Sequence, residues 1–247
     1  MNVQVSGLTR RFGGALAVAG VDLEVGAGVF GLLGPNGAGK TSLLRMMATA
    51  VAPTSGTLRL LGRDPRVHGE RREIRRRLGY LPQSPGYYPG FTVSEFVEYF
   101  ALLKEVPAVR VPGAVATAVQ RVGLHGSSRA RLRTLSGGML RRACIAQAIV
   151  NEPELLLLDE PTAGLDPEQR VAFRALLREL GQRATVVVST HLVDDVGAAC
   201  GHLALMDHGR IVFAGTPDEL TARGVGHDTG DAPLERGYSA VLSAARS

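Results

Sequence analysis

The feature that most constrains this chain is a glycine-rich stretch between an apolar run and a helix-forming run. Residues 34–41 read G-P-N-G-A-G-K-T and match the pattern G-x-x-x-x-G-K-T of a phosphate-binding loop. Residues 29–33 have the length and composition of a buried parallel strand, and residues 42–48 contain good helix formers without a breaker. Glycines let backbone N–H groups converge on an anion, and the helix N-terminus adds about half a positive charge there. The sequence therefore predicts a phosphate site between a strand and a helix.

Two side chains of this loop have the chemistry that a nucleotide requires. Lys40 can reach the β- and γ-phosphates, and the Thr41 hydroxyl can ligate Mg²⁺. The alternative, a glycine-rich turn with a chance lysine, does not account for the strand and the helix on either side. The residues predicted to bind the phosphates are Gly34, Pro35, Asn36, Gly37, Ala38, Gly39, Lys40, Thr41 and Ser42.

Length and charge limit the kind of protein that this chain can be. It has 247 residues, of which 45% are hydrophobic, enough for one α/β domain or a domain with an inserted subdomain. The net charge is +5, and arginines cluster in residues 71–77 and 129–142. Such clusters are typical of a nucleic-acid patch, of a solvated face, or of a surface near anionic lipid. No aromatic residues interleave with these arginines, which favours the last two interpretations.

Cysteine usage and apolar patterning indicate a protein of a reducing compartment. Cys144 and Cys200 lie in apolar surroundings without metal-ligand spacing, so we expect no disulfide framework. The N-terminus lacks the charged-then-apolar pattern of a signal peptide. The most apolar long stretch, residues 13–34, contains Asp22, Glu24 and several glycines and is not a membrane span. We therefore expect the polypeptide to be soluble by itself.

The order of predicted elements is that of an α/β sheet interrupted by helices. A turn bearing one aromatic, Phe12, is predicted at residues 10–14. Residues 91–122 change character and form a helical insertion, in which Phe96 begins an amphipathic stripe at i, i+3, i+4 and i+7. A polar, glycine-rich linker is predicted at 224–233. Strands are predicted at 3–5, 21–25, 29–33, 57–61, 78–83, 155–158 and 185–189, with a hairpin at 203–213.

Polar side chains follow three of these strands at the point where each strand ends. Gln83 ends one predicted strand, the pair Asp159-Glu160 directly follows another, and His191 is the second residue after a third. Ligands of doubly wound sheets bind at the carboxyl ends of the strands, so convergence on one nucleotide explains all of these positions. Residues 135–139, L-S-G-G-M, open a further helix and are a second potential anion site.

Taken in order, these motifs resemble the nucleotide-binding ATPase subunit of an ABC transporter. The resemblance covers roughly residues 1–222, and its most specific part is the signature, because other P-loop proteins lack it. The wording around the signature is similar to the exporter branch that includes drug- and antibiotic-efflux ATPases. The matching motifs are the phosphate loop (34–41), the Q-loop (Gln83), the signature (135–139), Walker B (155–160), the D-loop (163–166) and the switch histidine (His191).

The resemblance assigns roles in nucleotide and metal binding. It implies that Phe12 stacks on adenine, although a hydrophobic turn residue is an equal alternative. It implies that Thr41 and Gln83 ligate Mg²⁺, with Asp159 acting on the metal directly or through water. The cofactors expected from the resemblance are ATP and Mg²⁺.

The resemblance also implies the groups that hydrolyse ATP. Glu160 would be the general base or the group that orients the attacking water. His191 would contact the γ-phosphate, and Gln83 would report the nucleotide state to a membrane partner. These three residues are the predicted catalytic set.

Two copies are expected to complete each site. In the family, Ser136, Gly137 and Gly138 act in trans on the ATP of the opposite subunit, so the chain must pair with itself or with a related subunit. Met139 departs from the common glutamine, and we expect little loss of catalysis from it. Asp166 has a helix-capping role as well as an implied contact across the dimer.

The fold class implied is α/β: a P-loop NTPase sheet with helices on both faces, an N-terminal antiparallel β subdomain and an inserted helical subdomain. The ATPase domain is expected at 1–223, with the insertion at about 84–143, and a linker and tail helix at 224–247. The resemblance implies a separate transmembrane permease subunit, a position on the cytoplasmic face of the membrane, and no nucleic acid. A soluble ABC-type ATPase that acts on nucleic acid or ribosomes is the alternative. The transported substrate and its direction stay open.

Overall fold

A small antiparallel sheet forms the N-terminal part of the chain. The computed structural model describes residues 1–226 and 229–246. The sheet has the strand order β2-β1-β4, and its apolar positions alternate because one face is buried. Its strands are β1 (Val3–Phe12), β2 (Ala15–Val25) and β4 (Ser55–Leu60).

The larger sheet has the strand order β5-β6-β7-β3-β8-β9. Its neighbours are parallel except for β8 and β9, which form an antiparallel hairpin. Every residue of β6 and β7 is buried, which explains their continuous apolar runs. The strands are β3 (Gly28–Leu33), β5 (Leu78–Leu81), β6 (Leu155–Asp159), β7 (Thr185–Thr190), β8 (His202–Asp207) and β9 (Arg210–Gly215).

Helices cover both faces of the larger sheet. On one face α1 packs in a core shared with the small sheet, and on the other α3 to α6 pack in a second core. None of the helices within residues 1–226 and 229–246 has the length and hydropathy needed to cross a bilayer. The helices are α1 (Lys40–Met47), α2 (His68–Arg76), α3 (Val93–Leu103), α4 (Val111–Arg121), α5 (Gly137–Ile149), α6 (Pro167–Gly181), α7 (Val193–Ala199), α8 (Pro217–Arg223) and α9 (Pro233–Arg246).

Side-chain caps fix the starts of the helices that matter for the site. Thr92 begins α3 in a reciprocal capping box with Glu95. Ser136 begins α5 and accepts a hydrogen bond from the Met139 backbone N–H, and Asp166 begins α6 in the same way. The sequence therefore positions these helices locally, before any tertiary contact is made.

Two elements differ from the sequence predictions. The turn predicted at 10–14 is shorter in the structure, because β1 continues through Phe12 and the hairpin turns at Gly13 and Gly14. Register shifts between Val5 and Arg11 break the alternation that would have indicated a long strand. Helix α2 was not predicted, since Ile74 is its only buried residue among those described.

The tail helix α9 packs against α7, α8 and the β8–β9 hairpin. Gly237 permits the closest approach, because a Cβ there would overlap the carbonyl oxygen of Leu220. The predicted linker 224–233 includes residues 227 and 228, which lie outside the described residues. The division of the chain near residue 223 stays a prediction.

An ion pair ties α9 to the end of β8. Arg246 Nε and Nη2 donate to the two carboxylate oxygens of Asp207, at 2.8 and 3.0 Å. Asp207 is buried, and these hydrogen bonds lower the pKa of its carboxyl. The pair therefore stabilises the fold most when Asp207 is ionised.

We predict that Arg246→Ala lowers the free energy of unfolding at pH 7 by about 1–2 kcal/mol, because it leaves a buried carboxylate without its main donor. The melting temperature should fall by about 2–8 °C. A lowered folded-state pKa contributes stability above the unfolded value, near 4, and loses it as the pH falls through the lower value. The difference from wild type should therefore shrink in acid.

Arg178→Ala on α6 is the matched control, since Arg178 is exposed and has no ion pair within the described residues. Thermal melts of the three proteins between pH 7 and pH 3 measure the effect. Equal melting temperatures for Arg246→Ala and Arg178→Ala at pH 7 would contradict the prediction.

Candidate ATP-binding and hydrolysis site

The strand order places the predicted site residues along one edge of the larger sheet. β3 pairs with β7 so that Leu33 lies opposite Thr190, and β6 pairs with β7 so that Asp159 lies opposite Ser189. Because these strands are parallel, the segments that leave them emerge at the same edge. The phosphate loop after β3, the acidic pair at the end of β6 and the histidine after β7 are therefore neighbours.

Glycines let the phosphate loop pack closely against the β8–β9 hairpin. Gly34, Gly37 and Gly39 have φ of +152°, +83° and +105°, in a region that L side chains rarely adopt. A Cβ on Gly34 would overlap the carbonyl oxygen of Met206 on β8, and one on Gly39 would overlap that of Ala17 on β2, whereas a Cβ on Gly37 would meet nothing within 4 Å. The loop is therefore confined on one side and open at Gly37.

Lys40 is a buried cation between the loop and the acidic pair. Its Nζ donates to the carbonyl oxygens of Gly34 (2.6 Å) and Pro35 (3.1 Å) and lies 3.7 Å from Glu160 Oε1. Burial lowers the pKa of Lys40, and the nearby charges of Glu160 and Asp159 oppose that effect. The ammonium group is thus held at the loop by carbonyl oxygens and a carboxylate.

The carboxylate of Glu160 joins Lys40 to His191. Glu160 Oε2 lies 2.9 Å from His191 Nδ1, and the Glu160 side chain is 8% exposed. Its backbone N–H donates to both the carbonyl oxygen and the Oγ of Ser189, each at 3.1 Å. The Glu160 φ is +47°, an unusual conformation for a residue with a side chain. The structure therefore holds this carboxylate between two cationic or hydrogen-bonding groups beside the loop.

Asp159 has one satisfied and one unsatisfied carboxylate oxygen. Ser189 Oγ donates to Oδ1 at 2.5 Å, while Oδ2 is buried and has no hydrogen-bond partner among the described residues. A buried acceptor without a donor is costly unless another group, such as a cation, satisfies it. Thr41, the second residue of α1, brings a hydroxyl to the same edge of the sheet.

Two further predicted residues, Phe12 and Gln83, lie at the end of β1 and just after β5. Phe12, at the end of β1, is 43% exposed, and the Arg10 guanidinium carbon lies 4.5 Å from its ring centroid. Gln83 follows β5, and its main-chain oxygen accepts a hydrogen bond at 3.1 Å from Arg141. The Gln83 segment therefore lies beside the acidic pair.

The signature residues stand apart from this group. Ser136 and Gly137 are exposed at the start of α5, and Gly138 is buried where a Cβ would overlap Gln169 Oε1. Within the described chain, no hydrogen bond or ion pair connects these residues to the phosphate loop. The exposed turn is accessible to a second molecule.

The sequence profile of the ABC transporter family matches residues 18–163. This chain belongs to the ABC transporter family. It is an ATP-binding, ATP-hydrolysing subunit of that family, and its α/β fold is that of the family's ATPase cassettes.

Two curated relatives of this chain are named as ATP-binding proteins. The chain is 37% identical over 92% of its length to Nod factor export ATP-binding protein I of Ralstonia nicotianae, and the match spans 70% of that protein. It is 39% identical over 88% of its length to the daunorubicin/doxorubicin resistance ATP-binding protein DrrA of Streptomyces peucetius, spanning 66% of it. The dimeric bacterial ABC transporter cassette MJ0796 has a similar fold, with a TM-score of 0.78, 23% identity, and coverage of 87% of this chain and 98% of that one.

Sequence reasoning missed one residue of this region, Arg141. The arginine cluster at 129–142 was interpreted as a solvated face, which is wrong for Arg141 because it is 7% exposed. It lies on α5 two residues before a small and apolar run, Ala143 to Ala146, which is buried. The sequence signal for burial of Arg141 is that the residues which follow Arg142 on the same helix are mostly small and apolar.

We predict that Gly39→Ala weakens ATP affinity at least tenfold more than Gly37→Ala. Both substitutions place a side chain on a left-handed backbone, which costs about 1–2 kcal/mol. A free-energy difference of about 1.4 kcal/mol corresponds to a tenfold change in the dissociation constant. Only Gly39→Ala also requires Ala17 and Met206 to move. Titration of each variant with a fluorescent ATP analogue measures the difference, and equal dissociation constants would contradict it.

Proposed function

We propose that this chain is the motor subunit of an exporter, in which ATP hydrolysis drives a separate membrane permease. The observation that carries the mechanism is the Glu160 carboxylate, which is held between Lys40 and His191 beside the phosphate loop. A nucleoside triphosphate bound at the loop would bring its γ-phosphate to these three side chains.

The proposed hydrolysis uses each of the three groups differently. Lys40 would exchange the carbonyl oxygens of Gly34 and Pro35 for phosphate oxygens, which are stronger acceptors because they are charged. Glu160 would accept a proton from the attacking water or hold that water in line. His191 would donate to the γ-phosphate from Nε2 while Nδ1 contacts Glu160, and because phosphate and carboxylate are both acceptors this arrangement needs a proton on each ring nitrogen.

We further propose that Asp159, Thr41 and Gln83 hold Mg²⁺. The unpartnered, buried Oδ2 of Asp159 supports this, since a carboxylate, a hydroxyl and an amide oxygen are the donors that a hard cation prefers. When bound, Mg²⁺ neutralises charge that develops on the phosphates.

The proposed active form has two ATPase subunits. Ser136 and Gly137 are exposed at the N-terminus of α5, which can offer N–H groups and a partial positive charge to an anion. The cassette MJ0796 is described as dimeric, which supports pairing of two ATPase subunits. In the proposed pairing, Ser136, Gly137 and Gly138 would reach the nucleotide of the partner copy. Phe12 would contact the adenine on the ring face that Arg10 leaves uncovered.

We propose that the permease docks in the groove between α3 and the β5 edge of the sheet. This groove has a volume of about 410 Å³ and is lined mainly by apolar groups, among them Tyr80, Phe96, Phe100 and Leu103. Leu103 is 57% exposed, which is high for a leucine that takes part only in packing. A partner there would hold the chain on the cytoplasmic face of a membrane.

The proposal of export rests on the relatives. The Ralstonia protein is named for Nod factor export, which is outward movement, and the Streptomyces protein is named for daunorubicin/doxorubicin resistance. The substrate would be selected by the membrane subunit, so these names do not specify it for this chain.

We predict that Glu160→Gln reduces the turnover number for ATP by roughly 10²–10⁴-fold, because the amide cannot accept the proton. The dissociation constant for ATP should change by only a few-fold, since the phosphate loop is unaltered. Glu24→Gln is the control, because Glu24 is exposed on β2 away from the site. Phosphate release and nucleotide binding, assayed with Mg²⁺ and with EDTA, test both hydrolysis and the metal; unchanged turnover in Glu160→Gln would remove this role.

We predict that Leu103→Asp prevents co-purification with the cognate permease. Val109→Asp is the matched control, since Val109 is 89% exposed in the same helical insertion but does not line the groove. Tandem affinity purification after co-expression measures the effect. Retention of the permease by Leu103→Asp, or its loss with Val109→Asp, would place the interface elsewhere.

A further inference from the structure

Arg141 binds the main chain of two separate segments of the site. Its Nε donates to the carbonyl oxygen of Pro161 at 3.1 Å, and Nη2 donates to those of Asp159 (2.9 Å) and Glu160. Its Nη1 donates to the carbonyl oxygen of Gln83 at 3.1 Å, and at 3.4 Å to that of Pro82. Each of the three guanidinium nitrogens is thus engaged by the strand ends of β5 and β6.

The position of Arg141 on α5 connects these contacts to the signature turn. Arg141 lies on α5, five residues after Ser136, which caps that helix. A helix is stiff over such a distance, so the exposed signature turn and the guanidinium move together. Arg141 therefore connects three elements that the site needs: the signature helix, the Gln83 segment and the acidic pair.

The backbone conformation of Glu160 requires the support of this contact. Its φ of +47° is unfavourable for a residue with a Cβ and persists only where surrounding groups fix the peptide on both sides. On the N–H side Ser189 accepts, and on the carbonyl side Arg141 donates. Ser189 from one strand and Arg141 from the signature helix therefore fix the main chain from which the Glu160 side chain projects, while the carboxylate itself contacts Lys40 and His191.

We propose that Arg141 is a positioning residue, which sets the orientation of the Glu160 carboxylate according to where the signature helix and the Gln83 segment lie. This rests on the proposed function, in which Glu160 acts on the attacking water. Movement of α5 or of the Gln83 segment would change the hydrogen bonds to the carbonyl oxygen of Glu160. Arg141 would thereby couple the partner-facing surfaces of the chain to the hydrolytic step.

Only an arginine can make this connection. Its planar guanidinium directs five N–H groups along fixed directions and stays charged when buried. A lysine at this position would keep the charge but has one nitrogen, which cannot reach both the Gln83 segment and Pro161 as the guanidinium does. Arg141→Lys therefore retains a buried cation and removes the geometry.

The neighbouring arginine provides a matched control. Arg142 is on the same helix and also donates from Nη1 to main-chain oxygens, those of Val122 and Gly123, each at 3.3 Å. These acceptors belong to the end of α4 and lie outside the site. Arg142→Lys therefore removes a comparable contact without touching Glu160.

The experiment compares Arg141→Lys, Arg142→Lys and the double variant Arg141→Lys/Glu160→Gln in the full chain, purified with its permease where the chain alone is inactive. We expect Arg141→Lys to lower kcat roughly 10–100-fold while KM and the dissociation constant for ATP stay within threefold. Arg142→Lys should keep kcat within threefold. Adding Arg141→Lys to Glu160→Gln should cause no further loss, because the group through which Arg141 acts is already absent.

Melting temperature and ATP binding are measured on every variant, so that a folding defect is distinguished from a positioning defect. If Arg141→Lys fails to bind ATP, or lowers kcat no more than Arg142→Lys does, the inference is overturned. It is also overturned if the Arg141→Lys loss multiplies that of Glu160→Gln. The proposed function fails separately, through normal turnover in Glu160→Gln alone.

Discussion

Parallel pairing of β5, β6, β7 and β3 is the constraint on which the site depends. The strands order themselves by burial of continuous apolar runs, and their register then places Asp159 opposite Ser189 and Leu33 opposite Thr190. The register of the strands therefore determines which side chains of the site are adjacent. The sheet aligns the ends of four strands, and the loops that follow carry the polar groups to a common edge.

Charge is balanced at that edge with few groups. Lys40 is buried among carbonyl oxygens and near Glu160, and Glu160 also contacts His191. An isolated buried ammonium or carboxylate would be strongly unfavourable, and here each lies near a group of opposite charge. In the proposed function a triphosphate would compete with Glu160 for Lys40 and His191, which would make this cluster responsive to nucleotide.

Some motifs could be predicted from the sequence because the residues that form them are adjacent in the chain. The phosphate loop, the cap at Asp166 and the acidic pair after a buried strand all require only neighbouring residues to be recognised. The long strand through Phe12 and the burial of Arg141 were not predictable, because bulges in β1 and carbonyl oxygens 18 to 59 residues away decide them. Predictions from pattern fail where the partner of a residue is chosen by tertiary structure.

The left-handed backbone at Glu160 has a consequence for how this protein balances folding against chemistry. A glycine would adopt that conformation without penalty, so selection for foldability alone would favour glycine there. The segment instead keeps a residue with a side chain at this position, so that the local backbone preference and the fold disagree there. Such a site gives up some conformational stability, and the proposed role of its carboxylate accounts for why the chain retains it.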